Sequence, residues 1–259
     1  MLQLAHSPSA RHVLDTHHET SRRAGAQVLV VVAGLVVYSL ARGTAGADPR
    51  PALDHARDVA ALEQRLGIAW EDELQRLVVE HDVLVDAANS FYVWAHWPLL
   101  AGTLLWLLQW HRDAFHTTRN ALLLSCFVAL VVYTVYPVAP PRLAGVGMVD
   151  SVTERSHAYR VLQPPGMTNQ YAAMPSLHMG WDLLVAIALV QQCARRWVRA
   201  VALLLPPLML AAIVLTANHW FLDAVAGAVV ALLGLAVAER LRGSPPTPVV
   251  VPAPRHAAA

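Results

Sequence analysis

Residues 172–181 read AAMPSLHMGW and stand where a polar loop becomes a long apolar segment. Because proline is favoured in the first turn of a helix, where its missing N–H is not needed, Pro175 predicts a helix start. The free backbone N–H groups of that turn and the positive end of the helix dipole would form an anion site, and Ser176 and His178 add a hydroxyl and a titratable ring beside it. A phosphate fits such a site, although a plain Pro-Ser helix cap explains the same residues.

The composition places this segment in a membrane protein. Of the 259 residues, 56% are hydrophobic and only 14% are charged, whereas soluble domains carry about 25% charged residues. We therefore expect an all-α, polytopic membrane protein. The net charge of +1, with no basic stripe, argues against a nucleic-acid partner. Cys126 and Cys193 have no spacing that suits a metal site or a disulfide framework, and we interpret both as small core residues.

Six apolar segments are long enough to cross a bilayer. They are residues 24–41, 91–110, 120–138, 176–193, 200–217 and 219–238. Arginines cluster at the short connections that a protein with both termini in the cytoplasm places inside, which agrees with the positive-inside rule. We therefore predict a multi-pass protein of the cell (plasma) membrane with cytoplasmic N and C termini and an extracytoplasmic active site.

The remaining regions are polar. Residues 1–25 hold four histidines without a regular period, and we expect a disordered cytoplasmic tail there, with metal binding as the alternative. Residues 45–47, Ala-Gly-Ala, resemble a signal-peptidase site, but the polar region before the first span exceeds a typical n-region, so we interpret that span as retained. Residues 48–90 carry ten acidic residues against four arginines, and their apolar residues recur at helical spacing. They predict two extracytoplasmic amphipathic helices broken near Gly67.

These regions divide the chain into three parts. Residues 26–240 form the predicted transmembrane domain, which includes the amphipathic segment. The tail at residues 241–259 is rich in proline and is predicted to be disordered.

A second polar pattern opens the last apolar segment, where residues 216–223 read TANHWFLD. His219 and Asp223 are four residues apart, so on a helix they share one face. The carboxylate can accept one imidazole N–H, fix the tautomer and leave the other nitrogen as a nucleophile. Ionisable groups in membrane segments are expensive, which favours a functional role over the alternative of a pair that satisfies itself between packed helices.

The predicted topology brings His178, His219 and Arg142 to one side of the membrane. An arginine fork, a helix N-terminus, a hydroxyl and two imidazoles suit phosphoryl transfer. No metal site is predicted, because the two histidines do not share a helix face and no carboxylate cluster accompanies them.

With these motifs the chain resembles the type 2 phosphatidic acid phosphatase superfamily, whose motifs are KxxxxxxRP, PSGH and SRxxxxxHxxxD. Residues 175–178 match the second motif, and His219 with Asp223 match the third. Leucine in place of the glycine, with Asn169 and Tyr171 upstream, is most similar to the branch that contains inositol phosphorylceramide synthase.

The chain also departs from the family pattern. Val135 stands where the first motif has lysine, Ile213 stands where the third motif has arginine, and Arg142 follows Pro-Pro instead of preceding proline. The residues that could replace the missing phosphate contacts are Asn218, Asn169, Tyr171, Arg155 and Arg160.

The resemblance implies a phosphatase or phosphotransferase that acts on a membrane lipid phosphate without a cofactor or metal. His219 would attack phosphorus, Asp223 would orient it, and His178 would protonate the leaving group, while Ser176 and Arg142 hold the phosphoryl oxygens. The acceptor would be water, or an alcohol such as inositol or another polyol.

Two other functions fit parts of the sequence. Six spans with a serine and a histidine also describe a rhomboid-like intramembrane serine protease, but no GxSG is present. A non-catalytic protein that binds haem through His96, His178 or His219 is the third hypothesis.

Asp182 could orient His178 or only fill a packing position, and His96, one turn after Tyr92, could face the substrate or lie in the core.

Overall fold

The computed structural model describes residues 8–44, 48–155 and 169–242, with side chains for all of these except residues 8–23, 44 and 155. Within these ranges the chain is helical, which confirms the all-α prediction, and one isolated parallel bridge joins Val138 to Ala172. The helices are α1 (Pro8–Thr44), α2 (Pro49–Leu66), α3 (Glu71–Val78), α4 (Asp82–Ser90), α5 (His96–Trp110), α6 (Arg112–Val135), α7 (Ser151–Arg155), α8 (Leu177–Gln192), α9 (Arg196–Leu215) and α10 (Phe221–Leu241).

Five of the described helical stretches are long and apolar enough to cross a membrane. They are Ala24–Gly43, Asp82–Trp110, Arg112–Val135, Arg196–Leu215 and Phe221–Leu241. The predicted span at residues 176–193 corresponds to α8, which has 16 residues. At 1.5 Å per residue it is about 24 Å long, shorter than a hydrocarbon core of about 30 Å. The chain is therefore a membrane protein with five candidate spans, and the prediction of six depends on α8.

This short helix lies at the centre of the bundle, where it packs against α5, α6, α9 and α10. The turn before it lies very close to α10, since a Cβ atom added to Gly227 would lie 2.0 Å from the Ser176 carbonyl oxygen. A Cβ atom on Gly180 would lie 2.6 Å from the Gly227 carbonyl oxygen. Small residues allow two backbones to approach this closely. The two helix starts that carry the predicted histidines are thereby fixed against each other.

The acidic segment forms two amphipathic helices, α2 and α3, which we call the collar. The break near Gly67 is as predicted, because Gly67 ends α2 in the left-handed conformation, with φ 72°. Residues 82–90, in contrast, belong to the helix of the second span, which runs through a π-helical turn (Phe91–Ala95) into α5. No glycine or proline interrupts residues 82–97, so nothing in the sequence ends the helix at residue 90.

The N-terminal region also differs from its prediction. Helix α1 begins at Pro8, so residues 8–25, which we predicted to be disordered, extend the helix of the first span. A helix that the apolar span has already nucleated can propagate through polar residues, and no proline or glycine lies between residues 9 and 24. Residues 1–7 and most of the predicted tail at residues 241–259 lie outside the described residues.

Candidate active site

The turn before α8 joins the two helices that hold the predicted histidines. Ser176 is the N-cap of α8 and is completely buried. Its Oγ accepts a hydrogen bond from the N–H of Met179 at 3.5 Å, while its own N–H donates to the carbonyl of Asp223 at 2.9 Å. Pro175 therefore precedes the cap instead of lying in the first turn. The N–H of Ser176, which we expected to be free for an anion, already bonds α10.

His219 lies just before α10, and its hydrogen-bond partner indicates its tautomer. Nδ1 is 2.9 Å from the carbonyl oxygen of Ala173. Because a carbonyl can only accept, Nδ1 carries the proton in this hydrogen bond, and Nε2 keeps its lone pair. The predicted partner, Asp223, is farther away, with Oδ2 3.4 Å from the same Nδ1. The sequence thus indicated the carboxylate but missed the carbonyl of Ala173.

Asp223 has a second task at the start of α10. Its Oδ2 accepts a hydrogen bond from the N–H of Trp220 at 2.9 Å, in the manner of a capping box. This cap explains why α10 begins at Phe221 and leaves His219 outside the helix, whereas the sequence predicted a helix from residue 219. The four-residue spacing still brings His219 and Asp223 together.

His178 faces His219 across the turn. The centroids of the two imidazole rings are 6.2 Å apart, with an angle of 56° between their planes. His178 lies in the first turn of α8, and it is partly exposed, whereas His219 is 6% exposed. One imidazole with a free nitrogen lone pair therefore lies beside a second, more accessible imidazole.

Arg142 joins this group through Asn218. Its Nε donates to Oδ1 of Asn218 at 3.0 Å, and its backbone N–H donates to the carbonyl of Ala217 at 3.1 Å. Ala217 has φ 53°, a left-handed conformation that non-glycine residues rarely adopt, so this bond supports a strained turn directly before His219. Asp150 lies 3.4 Å from Nη1 and balances part of the charge of the guanidinium.

A family model described as the PAP2 superfamily matches residues 57–237. The chain belongs to the PAP2 superfamily. Membership supports a lipid phosphatase or phosphotransferase activity in general, and the match extends from within α2 into α10. Neither the comparison with curated proteins nor the comparison with solved structures gave a match.

Asn169 and Tyr171 have backbone roles in this PAP2 chain. Oδ1 of Asn169 accepts a hydrogen bond from the N–H of Tyr171 at 2.8 Å. The carbonyl of Tyr171 accepts one from the N–H of Val138 at 2.9 Å. These bonds hold the segment that supplies the Ala173 carbonyl to His219. Arg160 lies outside the described residues, as does the side chain of Arg155.

An arginine that the sequence analysis missed approaches the site from α1. Nη2 of Arg42 donates to the carbonyl of Asn169 at 3.4 Å, and its guanidinium lies 5.9 Å from the ring centroid of Tyr133. Tyr133 in turn donates from its hydroxyl to the carbonyl of Pro175 at 2.8 Å. Its position at the predicted outer end of the first span could have identified Arg42.

The carboxylate of Asp182 contacts neither of the two predicted histidines. Its Oδ1 lies 2.6 Å from Nδ1 of His96, and both side chains are almost fully buried. The ring centroid of His178 lies 4.9 Å from that of His96 and 4.4 Å from that of Tyr92. The prediction that Asp182 could orient His178 directly is therefore replaced by an indirect contact through His96.

The collar supplies two further carboxylates to the start of α10. Oε1 of Glu63 accepts from the N–H of Leu222 at 2.7 Å, and Oε1 of Glu71 accepts from the N–H of Phe221 at 3.0 Å. Burial, together with a hydrogen bond to Glu71, raises the pKa of Glu63 to about 9. Glu63 follows Val59 by four residues on the buried face of α2, and an acidic residue on that face was the signal that the sequence offered.

Proposed function

We propose that this chain is a metal-independent lipid phosphate phosphatase or phosphotransferase that works through a phosphohistidine on His219. The observation that carries the proposal is the hydrogen bond from Nδ1 of His219 to the Ala173 carbonyl, because it leaves Nε2 as a nucleophile. The nearby ring of His178 provides an acid and base at the same point.

In the first step, Nε2 of His219 attacks phosphorus as the bond from phosphorus to the lipid oxygen breaks. Protonated His178 gives its proton to that leaving oxygen, so an alcohol leaves and the phosphoryl group stays on His219. The carboxylate of Asp223 stabilises the positive charge that His219 gains. In the second step, His178 takes a proton from water or an alcohol, whose oxygen attacks phosphorus and frees His219.

Charged and polar groups around the histidines would bind the phosphoryl oxygens. We assign this role to Arg142, with Asn218 hydrogen-bonded to it, and to Arg42, which would replace a cation missing from the family motifs. Ser176, Asn169 and Tyr171 are proposed to shape the same site through the backbone contacts that they make.

The test is phosphate release from a panel of lipid phosphates in detergent, together with trapping of the phosphoryl group. We expect His219→Ala to reduce the rate by at least about 10³-fold and to abolish an acid-labile, base-stable phosphoryl adduct. His111→Gln is the matched control, because His111 lies at the other end of α5 against Trp106. Full activity in His219→Ala would exclude the phosphohistidine.

The choice between hydrolysis and transfer is a finer proposal. The sequence around residues 169–178 leads us to favour the inositolphosphotransferase-like branch. Inositol or glycerol added to the same assay should then yield a phosphodiester at the expense of free phosphate. Unchanged phosphate release with every alcohol tested would identify a phosphatase.

We also propose that the site faces the extracytoplasmic side of the plasma membrane, with six spans and both termini in the cytoplasm. The distribution of arginines at the short connections supports this orientation. Single cysteines placed in the collar should react with an impermeant thiol reagent added to whole cells. Cysteines in the connection between α5 and α6 should react only after the cells are opened, and the reverse pattern would invert the topology.

A further inference from the structure

A second His–Asp pair lies beside the proposed active site, between α5 and α8. Nδ1 of His96 is 2.6 Å from Oδ1 of Asp182, and the side chains are 1% and 0% exposed. The ring of His96 packs nearly parallel to the ring of Trp181, with centroids 6.0 Å apart, and edge-on against Trp97 at 5.3 Å. The orientation of His96 is therefore fixed on one side by a carboxylate and on the others by aromatic rings.

Because this pair is buried, a purely structural role would carry a cost in folding free energy. A buried carboxylate must be paired, and an apolar pair of similar volume generally stabilises a core as well or better. Oδ2 of Asp182 has no hydrogen-bond partner among the described residues, so the bond to His96 is its main compensation. Ionisable groups inside membrane helices more often serve function than packing.

The pair contacts the site at His178. The His96 ring centroid lies 4.9 Å from that of His178, with an angle of 50° between the planes. Tyr92 contacts the same ring at 4.4 Å and belongs to the π-helical turn Phe91–Ala95. Such turns inside regular helices are frequently found at functional sites. Here the turn directly precedes His96.

We propose that His96 and Asp182 are a positioning pair for His178. Asp182 fixes the ring of His96, and the ring of His96, with Tyr92, holds the imidazole of His178 at the angle from which it protonates the leaving oxygen. The inference rests on the proposed function, because it assumes that His178 is the general acid.

The experiment compares a leaving group that needs a proton with one that does not. A lipid phosphate releases an alkoxide, which His178 must protonate, whereas 4-nitrophenyl phosphate releases a stable nitrophenolate. The measured quantity is the rate of the first turnover, because the second step uses His178 with either substrate. Asp182→Asn keeps the shape of the carboxylate, and the double change His96→Phe with Asp182→Leu replaces the pair by apolar side chains that avoid a buried unpaired charge.

We expect both variants to lose about 10- to 100-fold in the first turnover with the lipid phosphate, with KM unchanged, and less than about threefold with 4-nitrophenyl phosphate. His178→Ala should show the same selectivity with a larger loss. His111→Phe, the matched control at the C-terminal end of the same helix, should retain both rates.

Four results would contradict these expectations in different ways. An apolar double variant that keeps the lipid rate would show that the pair only packs, and equal losses with both substrates would show a general structural effect. Either result overturns the positioning role while His219 and His178 keep theirs. A wild-type chain inert towards both substrates, or equal losses in His178→Ala, would overturn the proposed function and this inference with it.

Discussion

The two His–Asp pairs of the bundle are built in different ways. In the first pair, His219 and Asp223 are four residues apart in one segment, with Nδ1 and Oδ2 separated by 3.4 Å. In the second pair, His96 and Asp182 come from two helices and are 86 residues apart, with a shorter separation of 2.6 Å. Sequence spacing revealed the first pair because residues one turn apart must be close. The second exists only because α5 packs on α8.

The two carboxylates also differ in their hydrogen-bond partners. Asp223 approaches His219 and accepts a hydrogen bond from the N–H of Trp220, so it contacts both the proposed nucleophile and the start of α10. Asp182 hydrogen-bonds His96, and its other oxygen has no partner in the described part of the chain. The carboxylate of the first pair therefore also bonds the backbone, whereas the carboxylate of the second pair bonds one side chain among the described residues.

The largest effect is expected from Asp223→Asn. The amide oxygen of asparagine can still accept from the Trp220 N–H, so α10 keeps its start, but the charge that stabilises positive His219 is lost. Phosphate release at saturating lipid phosphate should fall by about 10³-fold, while the melting temperature in detergent changes little.

A matched variant separates the two roles of Asp223, which are the contact with His219 and the cap of α10. Asp223→Ala should lose the cap as well, and with it about 1 kcal/mol of stability. If Asp223→Asn kept activity within tenfold of wild type, the first pair would have only a capping role.

The second largest effect concerns the helix contact that sets the distance between the pairs. In Gly227→Ala the new methyl group would meet the backbone carbonyl of Ser176, which cannot rotate away. We expect a loss of about 3 kcal/mol or non-folding, measured as the midpoint of thermal unfolding in detergent.

Gly102→Ala is the control for helix propensity, since a Cβ atom there meets nothing within 4 Å. It should be neutral or stabilising by about 1 kcal/mol. Equal effects of the two substitutions would mean that the close contact between α8 and α10 contributes no stability.

The third prediction assigns one arginine to each pair. Arg142 reaches the first pair through Asn218, and Arg42 approaches the turn before His178 through the Asn169 carbonyl. If both bind the phosphoryl group, Arg142→Gln and Arg42→Gln should each lower kcat/KM by about tenfold, because a charge-assisted hydrogen bond contributes about 1.5–3 kcal/mol.

Arg76→Gln provides the comparison for these two changes. Arg76 is exposed on α3 and pairs with Asp72 on the same helix. Its loss should leave kcat/KM unchanged. An equally small effect of Arg42→Gln would show that Arg42 does not bind the phosphoryl group. The cation of the family motifs that this chain lacks would then have no assigned replacement.

Much of this architecture was predictable from the sequence, for identifiable reasons. Apolar runs gave five of the spans, because lipid-facing and core-facing residues of a span are both apolar. Helical spacing of apolar residues gave the two helices of the collar. Spacing gave the pairing of His219 with Asp223. The bond from His219 to the Ala173 carbonyl was not predictable, since no side chain signals a backbone acceptor.

Contacts between distant segments account for the other omissions. The bond between His96 and Asp182 and the approach of Arg42 both depend on which helices are neighbours, and a single amino-acid sequence does not contain that information. Helix α8 was overestimated in length because the apolar run continues to residue 193, whereas the helix ends at Gln192 and begins only after the Ser176 cap.

The smallest expected effect is a pH dependence of stability that arises at the helix of the first pair. Glu63 caps α10, the helix of the first pair, and its pKa is raised to about 9 by burial and by Glu71. The folded chain therefore holds a proton that the unfolded chain releases above a pH of about 4.5. This contribution to stability is complete below that pH and is lost as the pH rises towards 9.

Glu63→Gln tests the linkage, because glutamine keeps an oxygen for the Leu222 N–H and has no proton to lose. Its thermal midpoint in detergent should decline less than that of wild type between pH of about 5 and 9. Asp72→Asn, an exposed change on the collar, should retain the wild-type slope. A wild-type slope in Glu63→Gln would mean that Glu63 is ionised in the folded chain. The start of α10 would then hold two negative charges, one on Glu63 and one on Asp223. The charge on Glu63 would repel the negative charge of Asp223, which the first pair needs.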